Sequence, residues 1–143
     1  MLNNLKTKYL GIDYGKKKTG ISISDQNKII SFPLETIQTK NIIPYLKEII
    51  VKEKIEKIII GKPLKLNNEI HDIEIEIKDL IKSIKSFNSA IEINRIDERY
   101  TSKLSKVYLN QFESKQKKRR NKSIIDKISA SLILESYLIR VNK

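Results

Sequence analysis

Apolar residues follow two spacings along the chain, one typical of strands and one typical of helices. Short apolar or alternating runs predict strands at 8–12, 19–25, 28–32, 57–60 and 90–96, the third of them ended by Pro33. Apolar residues three or four positions apart predict helices at 41–54, 68–86, 101–112 and 123–141. This order predicts an α/β fold: a mixed five-stranded sheet, with a three-strand antiparallel meander followed by parallel strands, flanked by helices.

Length and charge narrow the choice of function. A chain of 143 residues is expected to form a single domain over 1–143. Its 29 Lys and Arg against 17 Asp and Glu give a formal net charge of +12, which favours a polyanionic partner such as nucleic acid. An A/T-rich genome would also enrich lysine, but it would permit glutamate equally and does not alone explain the imbalance.

The absence of cysteine excludes disulfides and thiolate metal sites, and it is compatible with a reducing cytosol. The first residues lack the apolar segment of a secretory signal. No apolar run approaches the roughly 20 residues that span a bilayer. We therefore expect a cytoplasmic protein without a membrane partner.

The first segment with candidate chemistry is LGIDYGKKKTGISISD. Gly15 and Gly20 are expected to allow a tight hairpin with Asp13 at its mouth, and a carboxylate there suits a divalent cation. The alternative is that Asp13 only stabilises the turn, because Asp is common in turns. Three lysines follow directly and are candidates for nucleic-acid binding: Lys16, Lys17 and Lys18.

Two further segments follow predicted strands. In GKPLK, Lys62 and Lys65 are placed to meet phosphates, although an ordinary strand-to-helix loop would have the same sequence. In DERYTS, only one of Asp97 and Glu98 is expected to face the site, because adjacent residues of an extended backbone point to opposite sides. The alternative for this segment is a surface ion pair involving Arg99.

The last segment places Asp126 at the start of an apolar helix. Ser123 and Asp126 have the spacing of a capping box, so capping is the competing explanation. The basic run at 115–122 precedes this helix and is expected either to hold phosphates or to form a solvated loop. The single histidine, His71, lies on a polar helix face and is expected to be a surface residue.

Together, LGIDYGKKKTGISISD, GKPL, DERYTS and IDKISASLILESYL resemble, in order and spacing, the four motifs of the YqgF (RuvX) family of the ribonuclease H-like superfamily. The resemblance covers nearly the whole chain. It implies a ribonuclease H-like fold, with Asp13, Glu98 and Asp126 as catalytic acids and metal ligands. Lys62 and Tyr100 replace residues that are usually apolar in the family. The residues expected to bind nucleic acid are Lys16, Lys17, Lys18, Lys62, Lys65, Arg99, Lys117, Lys118, Arg119 and Arg120.

The resemblance also implies a phosphodiester-cleaving nuclease that uses Mg²⁺ or Mn²⁺. Our hypothesis places two ions about 3.5–4 Å apart, as in other two-metal sites. A precursor of 16S rRNA is the favoured substrate, branched DNA is the alternative, and the ribosome or its precursors are a possible partner of a monomer or weak homodimer. A nucleic-acid-binding module without catalysis remains open, as does a phosphotransferase, for which 143 residues are few.

Overall fold

A computed structural model describes residues 6–63, 68–97 and 122–142. Five strands form one sheet in the order β3-β2-β1-β4-β5. The first three strands are antiparallel neighbours, and β1, β4 and β5 run parallel, which confirms the predicted mixed sheet. The elements are β1 (Lys8–Asp13), β2 (Lys18–Ser24), β3 (Ser31–Gln38), a 3₁₀ turn (Thr39–Asn41), α1 (Ile42–Lys52), β4 (Ile55–Lys62), α2 (Asn68–Phe87), β5 (Glu92–Asp97) and α3 (Lys122–Val141).

The sheet is covered on both faces, which explains the three consecutive isoleucines at the centre of β4, Ile58–Ile60. Ile58 and Ile60 point into the core formed with α1 and α2. Ile59, between them, points into the core formed with α3. All three side chains are fully buried. A strand buried on both faces has no position for a polar residue, as is usual for parallel strands.

The third strand differs from its prediction, since it covers Ser31–Gln38 and does not end at Pro33. Strand β3 lies at the edge of the sheet, and its register with β2 shifts where Pro33 pairs with Ser22. Proline lacks a backbone N–H, which is tolerated at an edge strand or a bulge. The prediction that Pro33 ends the strand was therefore wrong, because the sequence does not reveal which strand lies at the edge.

Helix α3 packs closely on the sheet through small residues. The Ser22 hydroxyl donates to the Ala130 carbonyl at 2.7 Å, and the Ser31 hydroxyl donates to the Ser131 carbonyl at 2.8 Å. A Cβ added at Gly11 would lie 2.8 Å from the Leu134 Cβ. The helix predicted at 101–112 lies outside the described residues, and within them no helix is long and apolar enough to span a bilayer.

Candidate metal and nucleic-acid site

Asp13 is the last residue of β1, and it lies on the sheet face that α3 covers. Side chains alternate between the two faces of a strand. Leu10 and Ile12 belong to the core beneath α1 and α2, whereas Gly11 approaches α3. Asp13 therefore shares the face of Gly11, at the carboxyl end of the parallel strands, where α/β folds commonly bind ligands.

Gly20 brings Asp126 to this same place. In the β1–β2 register, Gly20 lies directly opposite Asp13. A Cβ added at Gly20 would collide with the backbone carbonyl group of Asp126. The backbone of α3 thus crosses β2 in contact with the residue that pairs with Asp13, and both acids are half-buried. Two acids that are 113 positions apart in the sequence are neighbours in the fold.

Two sequence-based interpretations of these residues need correction. Gly20 lies inside β2, so it does not form the hairpin turn; its role is to let a helix backbone approach. Helix α3 begins at Lys122, and no acid lies in its first turn. Ser123 is thus inside the helix, and the capping-box explanation of Asp126 is wrong, because capping requires Ser123 to precede the helix.

Helix α2 fixes the turn that follows Asp13. The Tyr14 hydroxyl donates to the Glu76 carboxylate at 2.8 Å. Burial, together with the charge and hydrogen bond of Glu76, raises the pKa of Tyr14 well above its ordinary value. The Lys16 Nζ lies 3.7 Å from Oδ2 of Asp72, and Asp72 precedes Glu76 by one helical turn. Tyr14 and Lys16, which follow Asp13, are therefore held in place by contacts with one side of α2.

The opposite flank of α2 contacts β5. Arg95 makes a two-pronged ion pair with Glu74, at 2.9 and 2.8 Å, and donates to the Gly61 carbonyl at 3.0 Å. The hydrogen bond from Arg95 lowers the pKa of Glu74. Asp97 shares the face of Arg95 by strand alternation, and Lys62 shares the face of Ile60. Asp97 and Lys62 therefore lie at the same end of the sheet as Asp13, but on the opposite face.

A basic concavity of about 370 Å³ lies beside the β1–β2 turn, and Lys16, Lys17, Lys18, Gln38 and Lys40 line it. The first three were predicted to bind nucleic acid. The sequence analysis missed Gln38 and Lys40, since they follow in another strand and turn and nothing local marks them. Seven predicted site residues lie outside the described residues: Glu98, Lys65, Arg99, Lys117, Lys118, Arg119 and Arg120.

The donor chemistry of this site fits a hard divalent cation. Carboxylate oxygens are the ligands that Mg²⁺ and Mn²⁺ prefer, and Asp13 and Asp126 are two acids whose backbones lie on either side of Gly20. Within 6–63, 68–97 and 122–142, no three acid, His or Cys side chains are close enough to hold a metal ion. The third predicted ligand, Glu98, lies outside those ranges, and His71 is exposed, as expected.

The amino-acid sequence is similar to those of a known protein family. The model of the RuvX family, described as Holliday junction resolvase, matches residues 7–140. A Flavobacterium psychrophilum protein named "Putative pre-16S rRNA nuclease" is 39% identical over 131 residues, covering 92% of this chain and 96% of that protein. A protein of the same name from Karelsulcia muelleri is 41% identical over 135 residues, covering 92% and 98%.

The solved structures support the fold. Thermus thermophilus RuvC in complex with a Holliday junction substrate superposes with a TM-score of 0.59 at 11% identity, covering 94% of this chain and 96% of that chain. RuvC has a ribonuclease H-like fold, which confirms the predicted fold class. The family model covers nearly all of the sequence, and the two relatives are 39% and 41% identical over 92% of it. The chain therefore belongs to the RuvX family.

Proposed function

We propose that this protein is a metal-dependent nuclease that hydrolyses phosphodiester bonds, with residues 1–143 acting as one domain. The observation that carries the proposal is the contact between the Asp126 backbone and Gly20, which is the strand partner of Asp13, in a protein of net charge +12. The absence of a Cβ at Gly20 lets α3 bring Asp126 close to Asp13. Stability alone does not explain this arrangement, since clustered carboxylates repel.

In this proposal Asp13, Asp126 and Glu98 hold the cation. A divalent cation held there would supply the positive charge that polarises a phosphodiester and would activate water near neutral pH. The chain's own contribution is positional: Tyr14 and Gly20 fix the backbone around Asp13 and Asp126. The lysines of the β1–β2 turn would hold neighbouring phosphates by charge.

A precursor of 16S rRNA is the substrate we favour, because the curated relatives at 39% and 41% identity carry that name. The second candidate is a DNA four-way junction. It is supported by the description of the family model and by the Holliday junction bound to Thermus thermophilus RuvC. Shared fold does not decide between them, since one fold serves many substrates.

The experiment that tests the proposal is cleavage of a labelled 16S rRNA precursor fragment and of a synthetic four-way junction, each with Mg²⁺ or Mn²⁺. Wild type is compared with Asp126→Asn and with Glu135→Gln. Glu135 is a matched control because it is an exposed acid on the same helix. We expect the wild type and Glu135→Gln to cut the RNA only with metal, and Asp126→Asn to be inactive.

Three results would contradict parts of this proposal. Unchanged cleavage by Asp126→Asn would exclude that acid from the site. Preferential cutting of the four-way junction would replace the RNA proposal with the DNA one while leaving the site assignment intact. Tight binding of RNA by the wild type, without cleavage under any metal, would favour the binding-module alternative.

A further inference from the structure

The basic concavity beside the β1–β2 turn has the properties of a preformed phosphate site. Four lysines and one glutamine line it, and no carboxylate does so among the described residues. The side chains of Lys17, Lys18, Gln38 and Lys40 are all exposed. A concavity that exposed ammonium groups line attracts phosphates by its positive charge.

Buried hydroxyls hold the backbone of this concavity in place. The Thr39 side chain, which is 7% exposed, donates to the Gly15 carbonyl at 2.7 Å and lies 2.8 Å from the fully buried Thr19 hydroxyl. The Thr39 backbone N–H donates to the Lys17 carbonyl at 2.9 Å. The lysines therefore project from a turn that is pinned to the 3₁₀ turn, so less conformational entropy is lost when they bind a ligand.

The concavity continues the face on which Asp13 and Asp126 meet. Lys18 pairs with Gln38 across β2 and β3, and both lie on the face of Gly20 by strand alternation. Lys18 precedes Gly20 by two residues, which is roughly 6.6 Å along a strand. A nucleic-acid strand lying across Asp13 and Asp126 would thus meet this concavity within about one nucleotide.

We propose that Lys17, Lys18, Gln38 and Lys40 form a subsite for the sugar–phosphate backbone of the nucleic-acid strand that is cut, next to the cleaved bond. The inference rests on the proposed function, because it assigns this subsite to the same substrate. The subsite adds β3 and the 3₁₀ turn to the binding surface. It also gives the direction in which the nucleic-acid strand leaves Asp13 and Asp126. Lysines and a glutamine that contact only phosphates are expected to bind without regard to sequence.

The test measures binding, so that it does not depend on cleavage. In an Asp13→Asn background, fluorescence anisotropy follows a labelled single-stranded RNA oligonucleotide between about 50 and 200 mM KCl. Lys17→Gln/Lys40→Gln is compared with Lys52→Gln/Lys82→Gln, which removes the same charge from exposed positions on α1 and α2. Circular dichroism establishes that each variant is folded.

We expect Lys17→Gln/Lys40→Gln to weaken binding about tenfold and to reduce the salt slope by about 1.4, since each phosphate contact on a single strand contributes roughly 0.7. The control pair should leave the slope within error of its parent. An equal loss in both pairs would overturn the proposal, because it would mean that only net charge matters. If the wild type cuts nothing but this difference persists, the nuclease proposal fails and the subsite stands.

A second matched pair changes one charge without shortening a side chain. Gln38→Glu places a carboxylate inside the concavity, and Gln26→Glu adds the same charge at an exposed position in the turn after β2. We expect Gln38→Glu to weaken RNA binding several-fold more than Gln26→Glu. Equal effects of the two substitutions would also overturn the proposal.

Discussion

Replacing Gly20 with alanine should separate activity from stability more sharply than any other single change. The added Cβ would overlap the carbonyl group of Asp126 and lie 3.0 Å from the Lys127 nitrogen. These are backbone atoms of a helix, so no side-chain rotation can relieve the overlap. To restore an ordinary contact distance, the first turns of α3 must move away from β2 by on the order of 1 Å.

Two magnitudes follow from that displacement. Overpacking by one methyl group costs about 1–3 kcal/mol of the free energy of unfolding. Misplacing a catalytic group by about 1 Å costs roughly a hundredfold in rate. We therefore expect Gly20→Ala to remain folded at 25 °C and to lose about two orders of magnitude in the single-turnover rate of RNA cleavage at saturating Mg²⁺.

Leu138→Ala is the matched control. Leu138 is 1% exposed and packs in the core between α3 and the sheet, about three helical turns beyond Asp126. Its truncation should cost about 2–5 kcal/mol, as much as Gly20→Ala or more, measured by urea unfolding. It should retain the wild-type rate where it is folded. The reasoning is refuted if Gly20→Ala keeps its rate, or if Leu138→Ala loses as much rate as Gly20→Ala.

Three further predictions concern the contacts around the site. Glu74→Gln should lower the free energy of unfolding by about 2 kcal/mol at neutral pH, since it removes a charged hydrogen-bond acceptor from Arg95. Because the pKa of Glu74 is lowered, this stabilisation exists above the ordinary carboxyl pKa and is lost as the pH falls through the lowered value, so urea unfolding of wild type and Glu74→Gln should converge in acid. Tyr14→Phe should reduce the cleavage rate more than the stability, because Glu76 loses the donor that fixes the turn after Asp13, whereas a proportional loss of both would assign Tyr14 a structural role only. Thr39→Val should cost about 1–3 kcal/mol in urea unfolding, because the buried Thr19 hydroxyl and Gly15 carbonyl lose their shared partner, and an unchanged midpoint would contradict that account.

Periodicity was sufficient to predict the sheet and the place of Asp13 at the end of its first strand. The antiparallel meander and the parallel strands that follow it both agree with the sequence analysis. These features depend on local spacing, which a single sequence records directly. The continuous apolar run of β4 is an example, since it already indicates burial on both faces.

Features that depend on distant partners could not be predicted. Pro33 interrupts a strand in sequence terms, yet it is tolerated because β3 lies at the edge. Lys62 was predicted to meet phosphates because it follows a strand, but strand alternation puts it on the face opposite Asp13. The role of Gly20 required knowing that α3 crosses β2 at that residue, and Lys40 required knowing that the 3₁₀ turn lies beside the β1–β2 turn.

The central claim is that Asp13 and Asp126 hold one cation between them. It is tested most directly by titrating Mn²⁺ into wild type, Asp13→Asn, Asp126→Asn, the double variant and Glu135→Gln, with bound Mn²⁺ measured by electron paramagnetic resonance. The account predicts that each single variant loses at least tenfold in affinity, that the second substitution adds little to the first, and that Glu135→Gln matches wild type. Wild-type affinity in either Asp13→Asn or Asp126→Asn would contradict it.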